Sequence, residues 1–458
     1  MTNSQLVSLS AQAEAEFDRA FERVQQVVDW PQLDQEYPVR GNAVFINSVV
    51  LLMLLYQRMC PDKSLEAAVK KLLETMPSIL PNNKRVLEKR LSSDSGGYAK
   101  ARRRLPLAAA QWLTEKVSQA LINAAAPSLG DRRVYFFDGT TITLAPEPAL
   151  RKAYPPASNQ HGAGAFPVAL LAVAFELESG AAVLPEIGAM YGTNAVSETA
   201  LVRQLFLQLP PGSVVMGDAG FGIFAVAQEA QQTGHDFLLR LTASRFHAMV
   251  RKAQLIEQTD NRQTYSLKWH PSDHDRDSHP ELPPDVVLEV RLHEVRLHDS
   301  LTLFLVTSLP ESAEVLSELY RHRGDAEIDI RNFKVVLKAE TMRVKSVEMF
   351  QKELWMSLVA YNLVNQFRRE AAQLAGLASR KLSFKRVLTT FRIFLLEKLF
   401  TTAANWREGF RRALSYAMKD KLPNRPNRSY EREAYHQRPK SSQFKKRIPK
   451  KDTPERKN

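Results

Sequence analysis

The chain has 458 residues, 44% of them hydrophobic. At roughly 100–200 residues per domain this is enough for two to four domains around a substantial core, which excludes wholesale disorder. Its single cysteine, Cys60, excludes an intramolecular disulfide and any metal site built from several thiolates, and points to a reducing, intracellular setting. Lys and Arg number 63 against 50 Asp and Glu, a net charge of +13.

The opening MTNSQLVSLSAQAEAEFD has no basic region followed by an apolar stretch, so no secretory signal is expected. The longest apolar runs, residues 43–56 and 167–175, fall short of the roughly 20 residues a membrane helix needs. A cytoplasmic protein with no membrane partner is the expectation. The positive charge is unevenly spread: residues 84–104 carry +6, residues 421–458 carry +9, and the remainder of the chain carries −2. Charge confined to two segments suits a polyanion footprint, because Lys and Arg gain nucleic-acid affinity by displacing counterions at phosphates. A solvated tail and one basic helix face would give the same count.

Residues 1–130 read as helical, with apolar spacings of three and four over 17–28, 43–59 and 65–73. A Ser/Gly loop at 92–97 leads into a short basic helix, YAKARRRL, ended by Pro106. Helix, loop and basic helix suit a DNA-reading element with Lys100, Arg102, Arg103 and Arg104 on phosphates. An ordinary exposed basic helix is the alternative.

At residue 132 the texture changes. Three strand-like runs at 134–144, 166–177 and 181–191 are followed by a helix over 198–209, a strand at 214–216 and a helix at 225–232. A further strand lies at 237–241. Strands followed by strand–helix alternation predict an α/β fold with a mixed sheet over 131–242. Residues 243–300, with the polar, Pro-rich HPSDHDRDSHPELPPD between strand-like segments, read as an inserted β-rich lobe. The core resumes over 301–345, with a strand at 301–307 and a helix over 311–340 that has a possible break at Gly324. Residues 346–420 are helical by periodicity, and the basic tail 421–458 reads as extended.

Two carboxylates stand at the ends of apolar strands, Asp138 in YFFDGT and Asp218 in VVMGDAGF. A rigid sheet can hold such acids facing a cleft, as hard cations such as Mg²⁺ require, although either Asp alone fits a turn or cap equally well. A third, Glu327, lies on a predicted helix with Lys334 seven residues on, which places both on one face about 10 Å apart. Ala326, Ile330, Phe333 and Leu337 form the adjoining apolar stripe, and Arg323 and Tyr320 lie near the same side. A surface helix with i,i+4 Arg–Glu pairing is the bland alternative.

The spacing Tyr320, two residues, Arg323, three residues, Glu327, six residues, Lys334 resembles the Tyr-Arg-Glu-Lys signature of DDE transposases of bacterial insertion sequences, specifically insertion sequence family four. DGT at Asp138 and DAGF at Asp218 are similar to that family's first two aspartate motifs, in the same order. The segments at 337–364 and 428–440 are similar to its C-terminal core. Gly324 departs from the Trp common after the signature arginine. The resemblance implies a ribonuclease H-like core with an inserted β lobe, with Asp138, Asp218 and Glu327 binding two Mg²⁺ or Mn²⁺ ions. It also implies that Arg323, Lys334 and Tyr320 grip DNA phosphates, as Arg by its planar fork and Lys as a point charge can do. The implied reaction is strand cleavage at the element's terminal inverted repeats, a hairpin step and transfer to target DNA, by a homodimer on paired ends. A non-catalytic DNA-binding regulator and a stand-alone metal nuclease are the competing classes. Two weaker features are Trp269, a candidate for stacking on a flipped base, and the His270, Asp273, His274, Asp275, Asp277, His279 cluster, which reads as a solvated loop.

Overall fold

The β-branched and aromatic run VYFFDGTTIT forms an interior strand, β1 (Val134–Thr143), of a nine-stranded sheet in the computed structural model. The structure describes residues 15–16, 18–20, 22–23 and 27–422, except 61, 63, 76–79, 161, 299–300, 337–341, 343 and 399–402. The tail segment 428–440 and most of the second basic stretch therefore lie outside the described residues.

A small hairpin, β2 (Ser158–Asn159) and β3 (Gly162–Ala163), precedes β4 (Val168–Glu176) and β5 (Glu186–Ala189). The chain continues through β6 (Val214–Gly217), β7 (Asp236–Arg240), β8 (Gln254–Gln258), β9 (Arg262–Trp269), β10 (Leu288–His298) and β11 (Leu301–Thr307). The large sheet runs β5-β4-β1-β6-β7-β11-β10-β9-β8. β4 is antiparallel to β1, with Asp138 opposite Val173, whereas β6 and β7 run parallel to β1. This is the ribonuclease H-like order. β1 meets β6 only over Val134–Phe136, so the two strands part just before Asp138. In open α/β sheets, a parting of this kind at the carboxyl ends of parallel strands is where ligands bind.

The segment read as an inserted β-rich lobe is built of strands. Its strands β8, β9 and β10 extend the core sheet through β11, which pairs antiparallel with β7. The polar stretch expected to be a loop contains a short helix, Asp273–Ser278, closed by a Ser272–Asp275 capping box.

The helical regions at the two ends of the chain pack together. The helix Val347–Leu374 lies against Leu107–Asn123 and Asn47–Met59, and Phe384–Lys398 and Ala403–Ala417 close around it. Asn362 ties this bundle to the sheet. Its amide donates to Ser118 Oγ (3.0 Å) and the Ala182 carbonyl (2.9 Å), and its oxygen accepts from the Ala182 N–H (2.9 Å). No helix among the described residues is long and apolar enough to cross a membrane.

Candidate active site

Asp138 lies on β1 and Asp218 directly after β6, where the two strands have parted. Alternation along β1 sends Phe137 to one face and Asp138 and Thr140 to the other. Phe137 is fully buried and packs edge-on against Phe206 (5.0 Å) and against Phe221 of the DAGF loop (4.9 Å). That burial, worth about 1.5–3 kcal/mol per large apolar side chain, pins the loop carrying Asp218 against the strand carrying Asp138. Gly217 allows the approach, since a Cβ there would stand 2.7 Å from the Phe137 ring.

Asp138 Oδ1 accepts the Gly139 N–H (2.8 Å), and Asp218 Oδ1 accepts the Gly220 N–H (2.8 Å). Burial first, and the charge of Asp218 second, push the Asp138 carboxyl up to about 6. Glu198 adds to the rise; the Gly139 N–H and Arg323 work against it.

The third carboxylate arrives on a short helix, Arg323–Arg331. The expected break in this region falls at His322 and not at Gly324, where the preceding helix Ala313–Arg321 ends and the new one starts. Arg323 Nη2 lies 2.7 Å from Glu327 Oε1 and 3.7 Å from Asp218 Oδ2, so one guanidinium spans two of the three acids. A π-helical turn, Asn332–Val336, follows and alters the expected seven-residue phase. Lys334 nonetheless reaches β1, where its ammonium donates to Thr140 Oγ1 (3.0 Å) on the face that carries Asp138. Ile330 and Phe333 are buried as expected; the Ala326 side chain and Leu337 lie outside what is described.

Three expected site residues serve the interior instead. Tyr320 is buried and its hydroxyl donates to the Gly217 carbonyl (3.4 Å), so it braces the strand end before Asp218 and is not open to a phosphate. Trp269 is largely buried and packs edge-on against Phe224 (5.2 Å), as an interior Trp does. Arg102 turns inward to Glu353 (2.5 Å), because Glu353 also faces the buried Arg58 (3.3 Å). Lys100, Arg103 and Arg104 of the same helix are exposed, although Arg104 donates to the Phe45 carbonyl (2.8 Å).

Two neighbours of the site, Thr140, which accepts from Lys334, and Glu198, whose charge reaches Asp138, carry no signal of their own in the sequence. Glu198 opens the helix Glu198–Phe206 behind the Ser197 cap, which is the ordinary place for a carboxylate in a first turn. Nothing in its sequence context marks it out.

Among the described residues, no three His, Cys, Asp or Glu side chains gather closely enough to hold one ion, and this includes the 270–279 cluster. Asp138 and Asp218 nonetheless form an oxygen-donor pair whose mutual repulsion a divalent cation would relieve, so the residues fit such an ion. Glu327 is drawn to Arg323.

Residues 129–363 match a family model described as the transposase DDE domain, a span that includes both aspartates and the Tyr320–Lys334 signature. Over 343 residues the chain is 25% identical to the transposase InsG for insertion sequence element IS4 of Escherichia coli strain K12, covering 72% of this chain and 74% of that one. A cryo-EM structure of the piggyBac transposase synaptic complex with hairpin DNA aligns at 11% identity and a TM-score of 0.39, covering 92% of this chain and 87% of that one. With the family model spanning more than half its length, the chain belongs to the DDE transposases.

Proposed function

We propose that the protein binds the terminal inverted repeats of an insertion sequence and cuts and rejoins DNA at the crevice between β1 and β6. The reaction would depend on divalent metal and proceed through a hairpin on the flanking DNA. The observation that carries this reading is Arg323, which pairs with Asp218 (3.7 Å) and Glu327 (2.7 Å) from two separate parts of the chain and whose charge reaches Asp138 on a third.

Asp138 and Asp218 would hold Mg²⁺ or Mn²⁺, with Glu327 joining them once Arg323 turns to a phosphate. Such ions, when bound, activate the attacking oxygen of water or a DNA 3′-end and stabilise the leaving oxygen. Arg323 is suited to the exchange, because its planar fork matches a phosphate as well as a carboxylate. Lys334, held on the Asp138 face by Thr140, would supply a second cation to the scissile strand. Tyr320 would act indirectly, by fixing the carbonyl that precedes Asp218. Cutting both ends of an element calls for two active sites, which a homodimer on paired ends provides.

The test is cleavage of duplexes carrying the element ends in Mg²⁺ or Mn²⁺, read on denaturing gels that separate nicked, hairpin and joined products. Asp138→Asn, Asp218→Asn and Glu327→Gln are each expected to slow cleavage at least about a hundredfold. Wild-type rates in these variants would refute the site. End binding without cleavage in any divalent metal would mark a regulator, and cleavage without joining a nuclease.

A further inference from the structure

β1, β6 and β7 run parallel, with Phe136, Met216 and Leu238 in register. Two residues further on stand Asp138, Asp218 and Arg240, so three adjacent strands end in acid, acid and base at one level. Gly217 fixes the face. A Cβ there would stand 2.7 Å from the Phe137 ring and 3.1 Å from Leu239, so Leu239 lies on the Phe137 face and alternation turns Arg240 to the face of Asp138 and Thr140. The backbone of Arg240 also seats the loop that carries Asp218. A Cβ at Gly222 would collide with the Arg240 carbonyl oxygen, so glycine lets that loop rest on the end of β7.

Arg240 is half-buried, and among the described residues its guanidinium meets no carboxylate and donates no hydrogen bond. Neighbouring cations are already occupied. Arg245 donates to the Ala219 (3.2 Å) and Gly222 (3.3 Å) carbonyls of the Asp218 loop, and Arg323 is held by Glu327. Arg240 nevertheless shares the surroundings of the site. Burial raises the Tyr320 hydroxyl, Arg323 and then Arg240 lower it, and Asp218 and Glu327 raise it, so one side chain feels all four charges. A guanidinium drawn partly out of water with no anion beside it loses solvation without compensation inside the protein. Its planar fork of donors suits a phosphate.

From this placement we infer that Arg240 binds a backbone phosphate of the DNA strand being cut, on the β7 side of the scissile bond, and so fixes the direction in which that strand crosses the sheet. The inference rests on the cleavage reading above. At about 4.8 Å between neighbouring strands, Arg240 is one strand from Asp218 and two from Asp138, which suits a phosphate next to the scissile one.

The test is binding of the full chain, in Ca²⁺, to end-containing duplexes that carry a neutral methylphosphonate at single positions around the scissile bond. On unmodified DNA, Arg240→Gln is expected to bind at least about fivefold more weakly and to reduce the slope of log affinity against log salt by about 0.9. Its melting temperature should not fall, because the guanidinium has no partner within the protein to lose. One methylphosphonate beside the scissile bond should weaken the wild type by a similar factor and leave Arg240→Gln unaffected. Arg240→Lys, a charge without the fork, should restore the slope and part of the affinity. If Arg240→Gln keeps the wild-type response at every position, the phosphate contact is overturned. Cleavage in Mg²⁺ at saturating protein separates that failure from failure of the site, since Arg240→Gln is expected to cut at least about tenfold more slowly. Asp138→Asn inactive with Arg240→Gln at the wild-type rate overturns the role of Arg240 alone. Wild-type rates in both overturn the cleavage reading, and Arg240 with it.

Discussion

Asp138 is an acid held where its charge is unwelcome, and this gives it a signature in stability. With a folded value of about 6 against an ordinary 3.8, it binds a proton more readily in the folded chain than in the unfolded one. Its favourable contribution is therefore complete below about 3.8 and is lost as the pH rises through about 6. At neutral pH the ionised carboxylate opposes folding. Asp138→Asn should consequently be more stable than wild type at pH 7.5 in EDTA, by about 1–3 kcal/mol, with the gap closing by pH 4. Thermal melts at the two pH values check this; a difference independent of pH would show that the charge is not what strains the site. The same substitution is expected to abolish cleavage, so stability and function would move in opposite directions at one atom.

At the scale of elements, the helix that presents Glu327 is short, is broken before Arg323, and runs into a π turn, so something must hold its orientation. Asp329, two residues beyond Glu327, is buried and paired with Arg380 (3.0 Å). The other arm of Arg380 donates to the Leu177 carbonyl (2.7 Å) just past β4. Arg380→Met would strand a buried carboxylate, and we expect a loss of about 3–5 kcal/mol in chemical denaturation. Arg380→Lys, which keeps the charge but not the fork, should recover part of it. Equal stability of Arg380→Met and wild type would remove this clamp. None of these contacts was legible in the sequence, because Asp329 and Arg380 are partners only in three dimensions. The strands were legible from their β-branched and aromatic runs, and so was the spacing from Tyr320 to Lys334. The π turn was not, because a 100° periodicity continues through a slip in hydrogen bonding. The continuation of the sheet through β10, β9 and β8 was equally hidden, since it depends on β11 finding β7 more than 60 residues away.

Over the whole molecule, the charge count divides into what holds the fold and what faces solvent. The basic helix Gly96–Arg104 is docked on Val347–Leu374: Arg102 and Arg58 share Glu353, and the Lys352 ammonium donates to the Arg102 and Arg103 carbonyls (3.2 and 3.3 Å). Lys352 is buried and also meets Glu348 (2.7 Å), so Arg102, which counting alone would assign to DNA, belongs to a joint between the two helical regions. Lys100 and Arg103 remain exposed. If this helix contacts DNA, Lys100→Ala and Arg103→Ala should each reduce the slope of log affinity against log salt by about 0.9, while leaving thermal stability near wild type. Arg102→Ala should do the reverse, costing about 1–3 kcal/mol through its lost charge-assisted bond to Glu353, which keeps Arg58, while changing the slope little. Titrating end-containing DNA at several salt concentrations, alongside melts of the same variants, reads both axes. A slope altered by Arg102→Ala with stability intact would mean that Arg102 leaves Glu353 for a phosphate, and that DNA binding loosens the joint between the two ends of the chain.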